Sequence, residues 1–179
     1  MLKNLSVQAV FFVAVFLVIS WFRELSLLPT NGEQAMPDVM VESIAEQSSG
    51  QAISTMALLN TDGVNQPTLF YFWAPWCSVC KISMPNLEDF HQSQLDKPQE
   101  DRVKVVSVAL SYESKQEVVD YLTDRKYQFT TVLGDGAISE AFKIKGFPTY
   151  YLVDKNGYLV SKSMGYSTEL GMVLRSLTL

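Results

Sequence analysis

The chain has 179 residues, 47% of them hydrophobic, with two cysteines, one histidine and a formal net charge of −5. That length fits one domain with an appendage, and the polar remainder excludes a polytopic membrane protein. The acidic balance excludes nucleic acid as a main partner, because no basic patch is at hand to neutralise phosphates.

The first element is apolar. Residues 5–22 read LSVQAVFFVAVFLVISWF, unbroken from Ala9 to Ile19. As a helix, this stretch reaches about 27 Å, close to a hydrocarbon core of roughly 30 Å. Lys3 precedes it, and Arg23 behind it is offset by Glu24. That weak asymmetry favours an inside N-terminus with the rest translocated. A cleaved signal peptide is the alternative, but bulky Trp21, Phe22 and Arg23 stand where small residues would be cut. Residues 1–28 are therefore expected to form an uncleaved transmembrane signal anchor. Residues 29–37 (PTNGEQAMP) are polar and rich in breakers and are expected to be a linker. The remaining domain is 38–179.

Within it, Val39 to Leu59 alternates weakly around Ser48, Ser49 and Gly50, which suggests an irregular β-hairpin. Leu69–Trp73 (LFYFW) reads as a short buried strand. Cys77 to about Gln94 reads as a helix with Pro85 as a kink. Val103–Leu110 is a second buried strand. Ser114 and Glu117 have the spacing of a capping box, opening a helix with Val118, Tyr121 and Leu122 on one face. Phe129–Leu133 is a short strand, and Gly134-Asp135-Gly136 leads into a helix ending near Phe142. Thr149–Val153 and Tyr158–Ser161 flank a tight turn at Asn156-Gly157, the strongest local antiparallel signal. Leu170, Val173, Leu174 and Leu177 suggest a last amphipathic helix with these residues as its apolar face. Strands crossing over through helices, then a hairpin and a helix, indicate a mixed sheet covered on both faces.

Both cysteines lie in WAPWCSVCK, Trp73 to Lys81. A disulfide loop this short constrains the unfolded chain little, and secreted scaffolds carry several bridges. Zinc needs about four ligands, and His91 lies about 16 Å further along the same helix as Cys80. No metal and no cofactor are expected. A redox pair fits best. Cys77 follows a strand and opens a helix, where free N–H groups and the helix dipole stabilise a thiolate. Cys80 lies one turn in, on the same face. Cys77 is expected to attack a disulfide and Cys80 to resolve the mixed disulfide. Trp73 and Trp76 bracket the pair, with core packing an alternative role for Trp73.

The string FYFWAPWCSVCK, the following Met84-Pro85, GFPT at Gly146–Thr149 and YLVDKNG ending at Gly157 resemble a thioredoxin-fold protein. The resemblance covers residues 38–179 and is strongest to the membrane-anchored TlpA/ResA/CcmG group of periplasmic thiol–disulfide oxidoreductases. VKVVSVALSYESKQEV and GDGAISEAFKIKGFPT match that group's central βα insertion and the segment after it. The end, MGYSTELGMVLR, is similar to the ScsD type, implicated in copper tolerance. The resemblance implies an α/β thioredoxin fold with a mixed central sheet flanked by helices and an N-terminal β-hairpin extension. It implies a cis Pro148 beside Cys77, with the Phe147 backbone pairing to substrate. Phe147 is bulkier than the residues often found there.

The resemblance also implies a protein-disulfide reductase in the periplasm, held in the inner membrane and fed by a membrane donor such as a DsbD-like protein. Its substrates would be protein disulfides, of apocytochromes in cytochrome c biogenesis or of copper-stressed proteins. The rival readings are a DsbA-like oxidase and a copper-binding chaperone. Two positions depart from the family pattern. Tyr71 replaces a buried Asp and Ser83 replaces an acid, and neither is a good base near neutral pH. Deprotonation of Cys80 would then rely on water, on Lys81 or on another loop. Glu113 is the candidate there, with a solvated cap residue as its alternative.

Overall fold

The computed structural model describes residues 27–44, 50–61 and 63–179, with a few helical positions between Gln8 and Val15. The expected anchor falls almost wholly outside the described residues. Among those described, no helix is long and apolar enough to cross a membrane.

In chain order the elements are β1 (Met40–Ser43), β2 (Ala52–Ser54), β3 (Asn60–Thr61), β4 (Val64–Asn65), β5 (Thr68–Trp73) and α1 (Ser78–Leu95). Then follow β6 (Lys104–Ala109), α2 (Lys115–Arg125), β7 (Thr130–Leu133), α3 (Gly136–Ala141), β8 (Thr149–Val153), β9 (Leu159–Met164) and α4 (Glu169–Ser176). One seven-stranded sheet runs in the order β2-β1-β7-β6-β5-β8-β9. β5 pairs parallel with β6, Tyr71 opposite Ser107, and antiparallel with β8, Phe72 opposite Thr149. The βαβαβαββα order expected after residue 68 is the order found, and the fold is an α/β mixed sheet flanked by helices.

Every residue of β5 is buried, so its side-chain alternation divides the core into two clusters. Leu69, Tyr71 and Trp73 face Cys80, Met84, Leu87 and Phe90 of α1, Val118 and Tyr121 of α2, and Met172 of α4. Phe70 and Phe72 face the other side, with Val106, Val108, Ile138, Phe142 and Tyr151. The expected N-terminal hairpin is present: β1 pairs with β2, Met40 opposite Ser54, and joins the sheet by pairing antiparallel with β7. The β3–β4 hairpin went unforeseen, although Asp62-Gly63 is a hairpin dipeptide. Gly63 takes φ 86° there and donates its N–H to Asn60 Oδ1 at 2.9 Å.

Two segments differ from expectation. The stretch read as a linker lies along the edge strand β9. Gly32 N–H donates to Leu159 O (3.1 Å), Leu159 N–H to Gln34 O (2.8 Å) and Met36 N–H to Gly157 O (2.8 Å). Leu28 donates its N–H to Tyr151 Oη at 3.1 Å and accepts from Lys162 Nζ at 3.0 Å. Leu27, Leu28 and Met36 are buried. Breakers here give irregular backbone rather than detachment, and the strap covers part of an edge that would otherwise be open.

In α4 the buried side is not the leucine stripe. Met172 is wholly buried, whereas Leu170, Leu174 and Leu177 are 66%, 57% and 75% exposed. Val173 alone of the expected face packs against the core. The roll of this helix is set at its start, where Ser167 is bonded to Ser83 of α1 and Thr168 caps the helix by accepting from Gly171 N–H.

Candidate active site

The strand β5 delivers the chain to the turn Ala74–Trp76, closed by Cys77 N–H donating to Ala74 O at 3.1 Å. Cys77 then caps α1 in an extended conformation (φ −74°, ψ 110°), and its Sγ accepts from the Cys80 N–H at 3.1 Å. A capping position normally taken by Ser, Thr, Asp or Asn thus belongs to a sulfur. An amide of the first turn and the positive end of an 18-residue helix both favour its anionic form. Cys80 follows one turn later, with the two Cα atoms 5.2 Å apart and the sulfurs joined as a disulfide. Cys77 retains 6% of its surface and Cys80 none, so only the first sulfur can be approached from outside.

Trp76 and Trp73 part company. Trp76 is 61% exposed, donates Nε1–H to Ser111 O at 2.9 Å and stands edge-on to Phe147, centroids 5.9 Å apart. Trp73 is wholly buried, donates Nε1–H to Ser107 Oγ at 3.3 Å and packs on Tyr121 at 4.9 Å. It is a core residue with no surface for a substrate. The Phe147–Pro148 bond is cis. Its loop is tied by Thr149 Oγ1–H to Gly146 O (2.8 Å) and by Gly165 N–H to Pro148 O (2.7 Å).

A cavity of about 340 Å³ opens beside Cys77, walled by Trp76, Ser111, Ser139, Ile144, Lys145 and Phe147. It shares Ser111 and Ser139 with a second hollow over Tyr112, Gly134 and Asp135. That one continues into a third, reaching Met40, Glu42 and Gly50 of the N-terminal hairpin. A groove thus runs from Cys77 across the ends of β6 and β7 to β1. Gly134 forms its floor by necessity: a Cβ there would lie 2.6 Å from Ile138 Cγ2 and 2.8 Å from Leu110 Cδ2. The residues missed by sequence reasoning are Ser111, Tyr112, Ser139 and Lys145. Only Lys145, next to GFPT, carried a local signal.

The proton candidates scatter. Lys81 is exposed and its N–H donates to Cys77 O (3.1 Å); Glu113 is exposed, and its N–H donates to the Glu117 carboxylate (2.8 Å). Neither lines the cavity beside Cys77. Glu113 adjoins the capping box found at Ser114, whose Oγ accepts from Glu117 N–H at 3.2 Å. Tyr71 is wholly buried in the cluster that encloses Cys80, and burial drives its phenol far above the ordinary range. Ser83, also buried, is bonded to Ser167. His91 is remote from the pair, against Phe129, with burial lowering its pKa against the pull of Glu88.

Residues 65–159 match the family described as thioredoxin-like. A thioredoxin-like protein of Haemophilus influenzae is 33% identical over 112 residues, spanning 62% of this chain and 62% of its own length. The thiol-disulfide oxidoreductase ResA of Oceanobacillus iheyensis is 29% identical over 146 residues, 80% of this chain and 69% of that one. The crystal structure of StoA from Bacillus subtilis superposes with a TM-score of 0.60 at 25% identity, covering 80% of this chain and 97% of StoA. The chain therefore belongs to the thioredoxin-like family, and it is a thiol–disulfide oxidoreductase whose Cys-x-x-Cys pair is Cys77 and Cys80.

Proposed function

We propose that this protein is a membrane-anchored, extracytoplasmic protein-disulfide reductase in which Cys77 attacks and Cys80 resolves. The carrying observation is the asymmetry of the pair: Cys77, at a helix N-terminus, keeps a small exposed edge of 6%, and Cys80 keeps none. The Cys77 thiolate attacks one substrate sulfur, and the other leaves with the electron pair. The Cys80 sulfur then attacks Cys77 Sγ, the mixed disulfide breaks, and the substrate departs as a dithiol with two electrons gained. Trp76 and Phe147 offer an aromatic rim for an extended substrate segment, and the cis Phe147–Pro148 bond sets the backbone that this segment would pair with.

The apolar residues 5–22 support the anchor, and the weak charge asymmetry around them supports a translocated domain. The periplasm is kept oxidising. A reductase working there needs electrons handed to it, which fits a DsbD-like membrane donor. An oxidase of the DsbA kind has less support. The chain between α1 and β8 is taken up by β6, α2, β7 and α3, which leaves no inserted helical domain.

The deciding experiment measures the reduction potential of the Cys77–Cys80 pair and its redox state in cells with and without the donor. A pair held reduced only when the donor is present supports the reading. A strongly oxidising pair, disulfide-bonded at steady state, overturns its direction. Fractionation and protease accessibility test the anchor separately.

A further inference from the structure

Among the described residues, Tyr71 Oη and Tyr121 Oη are the buried side-chain polar atoms without a hydrogen-bond partner. Native cores seldom leave hydroxyls so, and an internal water is a common complement. Both belong to the cluster that encloses Cys77 and Cys80. Tyr71 reaches it from β5 and Tyr121 from α2, with the Trp73 ring 4.9 Å from that of Tyr121. Ser83 stands one turn beyond Cys80 on the same face of α1. Its proton goes to Ser167 O and one lone pair to Ser167 N–H, which leaves a second lone pair. Ser83 acts on the Tyr71 phenol as a hydrogen-bonding neighbour, although Tyr71 Oη completes no full hydrogen bond.

A second observation gives this polar spot a task. Among the described residues no Asp or Glu is buried. Cys80 is completely buried, and burial raises a thiol's pKa. Something must still accept its proton when it resolves a mixed disulfide.

We propose that Tyr71 and Tyr121 hold an internal water which, with Ser83, forms the path by which the Cys80 thiol gives up its proton. The proposal rests on the reading that Cys77 attacks and Cys80 resolves. Tyr71 and Tyr121 are positioning residues, not bases. Their hydroxyls orient the water and donate toward the thiolate that develops on Cys80. In the step itself, the Cys80 proton passes by way of the water to solvent as the Cys80 sulfur bonds to Cys77 Sγ, and solvent supplies the proton that the substrate sulfur takes up. The Cys77–substrate bond breaks, and the departing substrate sulfur takes the electron pair and a proton. One proton is lost and one gained, so no further reactant is needed.

The groups around Tyr71 are all neutral: Ser83 from α1, Tyr121 from α2, Tyr127 ahead of β7 and Tyr150 from β8. Arg125 covers the Tyr121 ring at 3.9 Å, and Glu88 acts on Tyr127. The pH dependence of resolution should accordingly report the thiol and its water rather than a carboxylate.

The test is a single-turnover reduction of a fluorogenic disulfide peptide by the reduced full chain, from pH 5 to pH 9. The concentration-dependent phase reports attack by Cys77, and the concentration-independent phase reports resolution by Cys80. Tyr71→Phe is expected to slow the second phase about tenfold at pH 7 and move its midpoint up by about one pH unit. The first phase should stay within about twofold, and Tyr121→Phe should act in the same direction. The double variant should be no worse than the stronger single one, because both hydroxyls serve one water. Phenylalanine keeps the buried ring, so Tm serves as the control for folding. A second phase with unchanged rate and midpoint in Tyr71→Phe overturns the proposal, whatever Tm does. Mixed-disulfide formation that persists in Cys77→Ser overturns the underlying assignment of attacker and resolver instead.

Discussion

Ser83 Oγ donates to the carbonyl of Ser167 at 3.1 Å and accepts from the N–H of the same residue at 3.0 Å. This pair fastens the loop ahead of α4 to the helix that carries Cys80, one turn from the sulfur. Asn86 Nδ2–H shares the same carbonyl at 3.0 Å. Ser83→Ala therefore leaves the carbonyl one partner and the Ser167 N–H none. A buried donor left unmatched costs about 1–3 kcal/mol. The urea midpoint should fall by that equivalent with an unchanged slope, and amide exchange should quicken in residues 168–172. A midpoint within error of the parent would mean that Ser167 finds another acceptor.

Trp76 contributes little to the fold and much to the rim of the site. It is 61% exposed, and its ring is held by Ser111 O and Phe147. Trp76→Ala should change stability by less than about 1 kcal/mol. Losing an aromatic anchor from an interface commonly costs about 2 kcal/mol. The kcat/KM for a protein disulfide should fall roughly thirtyfold on that account. Reduction of the Cys77–Cys80 disulfide by a small dithiol should hardly change, because a small dithiol needs no rim. Equal losses with both partners would place Trp76 in the chemistry rather than in docking.

Stability should hold from neutral pH to about 10 and then fall steeply. Burial pushes Tyr151 and Tyr127 up to about 12, and raises Tyr71 and Tyr121 as well. The unfolded phenols ionise near 10. Above that pH the unfolded chain loses protons that the folded chain keeps, so stability is lost as pH climbs toward the folded values. For a wholly buried phenol the loss is about 1.4 kcal/mol per pH unit; half-exposed Tyr127 gives less. On the acid side the sign reverses. Burial lowers the pKa of His91, so a small contribution present above pH ~6.5 is lost as pH falls through the folded value. Denaturant midpoints against pH, with tyrosinate absorbance followed in parallel, check both limbs.

The sequence made the sheet legible where one signal decided. LFYFW, VKVVSVAL and TYYLV are apolar enough to be central strands, and Asn156-Gly157 leaves one way to turn. The cysteine pair was legible because helix start and spacing fix its geometry. The groove was not, since Ser111, Tyr112, Ser139 and Lys145 meet only after β6, β7 and β8 align their ends. The roll of α4 was not either: hydrophobic spacing favoured the leucines, but the Ser83–Ser167 pair, 84 residues apart, turns Met172 inward. Tyr71 could be read as the place of a missing acid, while its sharing a core cluster with Tyr121 required α2 to be folded over β5.

The domain should begin before residue 38. Leu27, Leu28 and Met36 are buried, and the strap they belong to is bonded to Leu159, Gly157, Tyr151 and Lys162. A chain beginning at Asp38 loses all three apolar side chains. Each buried side chain of this size is worth about 1.5–3 kcal/mol. The ordering entropy of the eleven residues 27–37 offsets part of that sum, and their removal opens the β9 edge. A chain beginning at Leu27 keeps these contacts and should unfold at the denaturant midpoint of the longer protein. The chain from Asp38 should unfold at a lower midpoint and self-associate at lower concentration, through strand pairing at β9. Light scattering and denaturation on the two chains, each without the apolar N-terminal segment, give the answer. Identical midpoints and identical solubility would show that the strap rests on the domain without stabilising it, and that 38 is the true boundary.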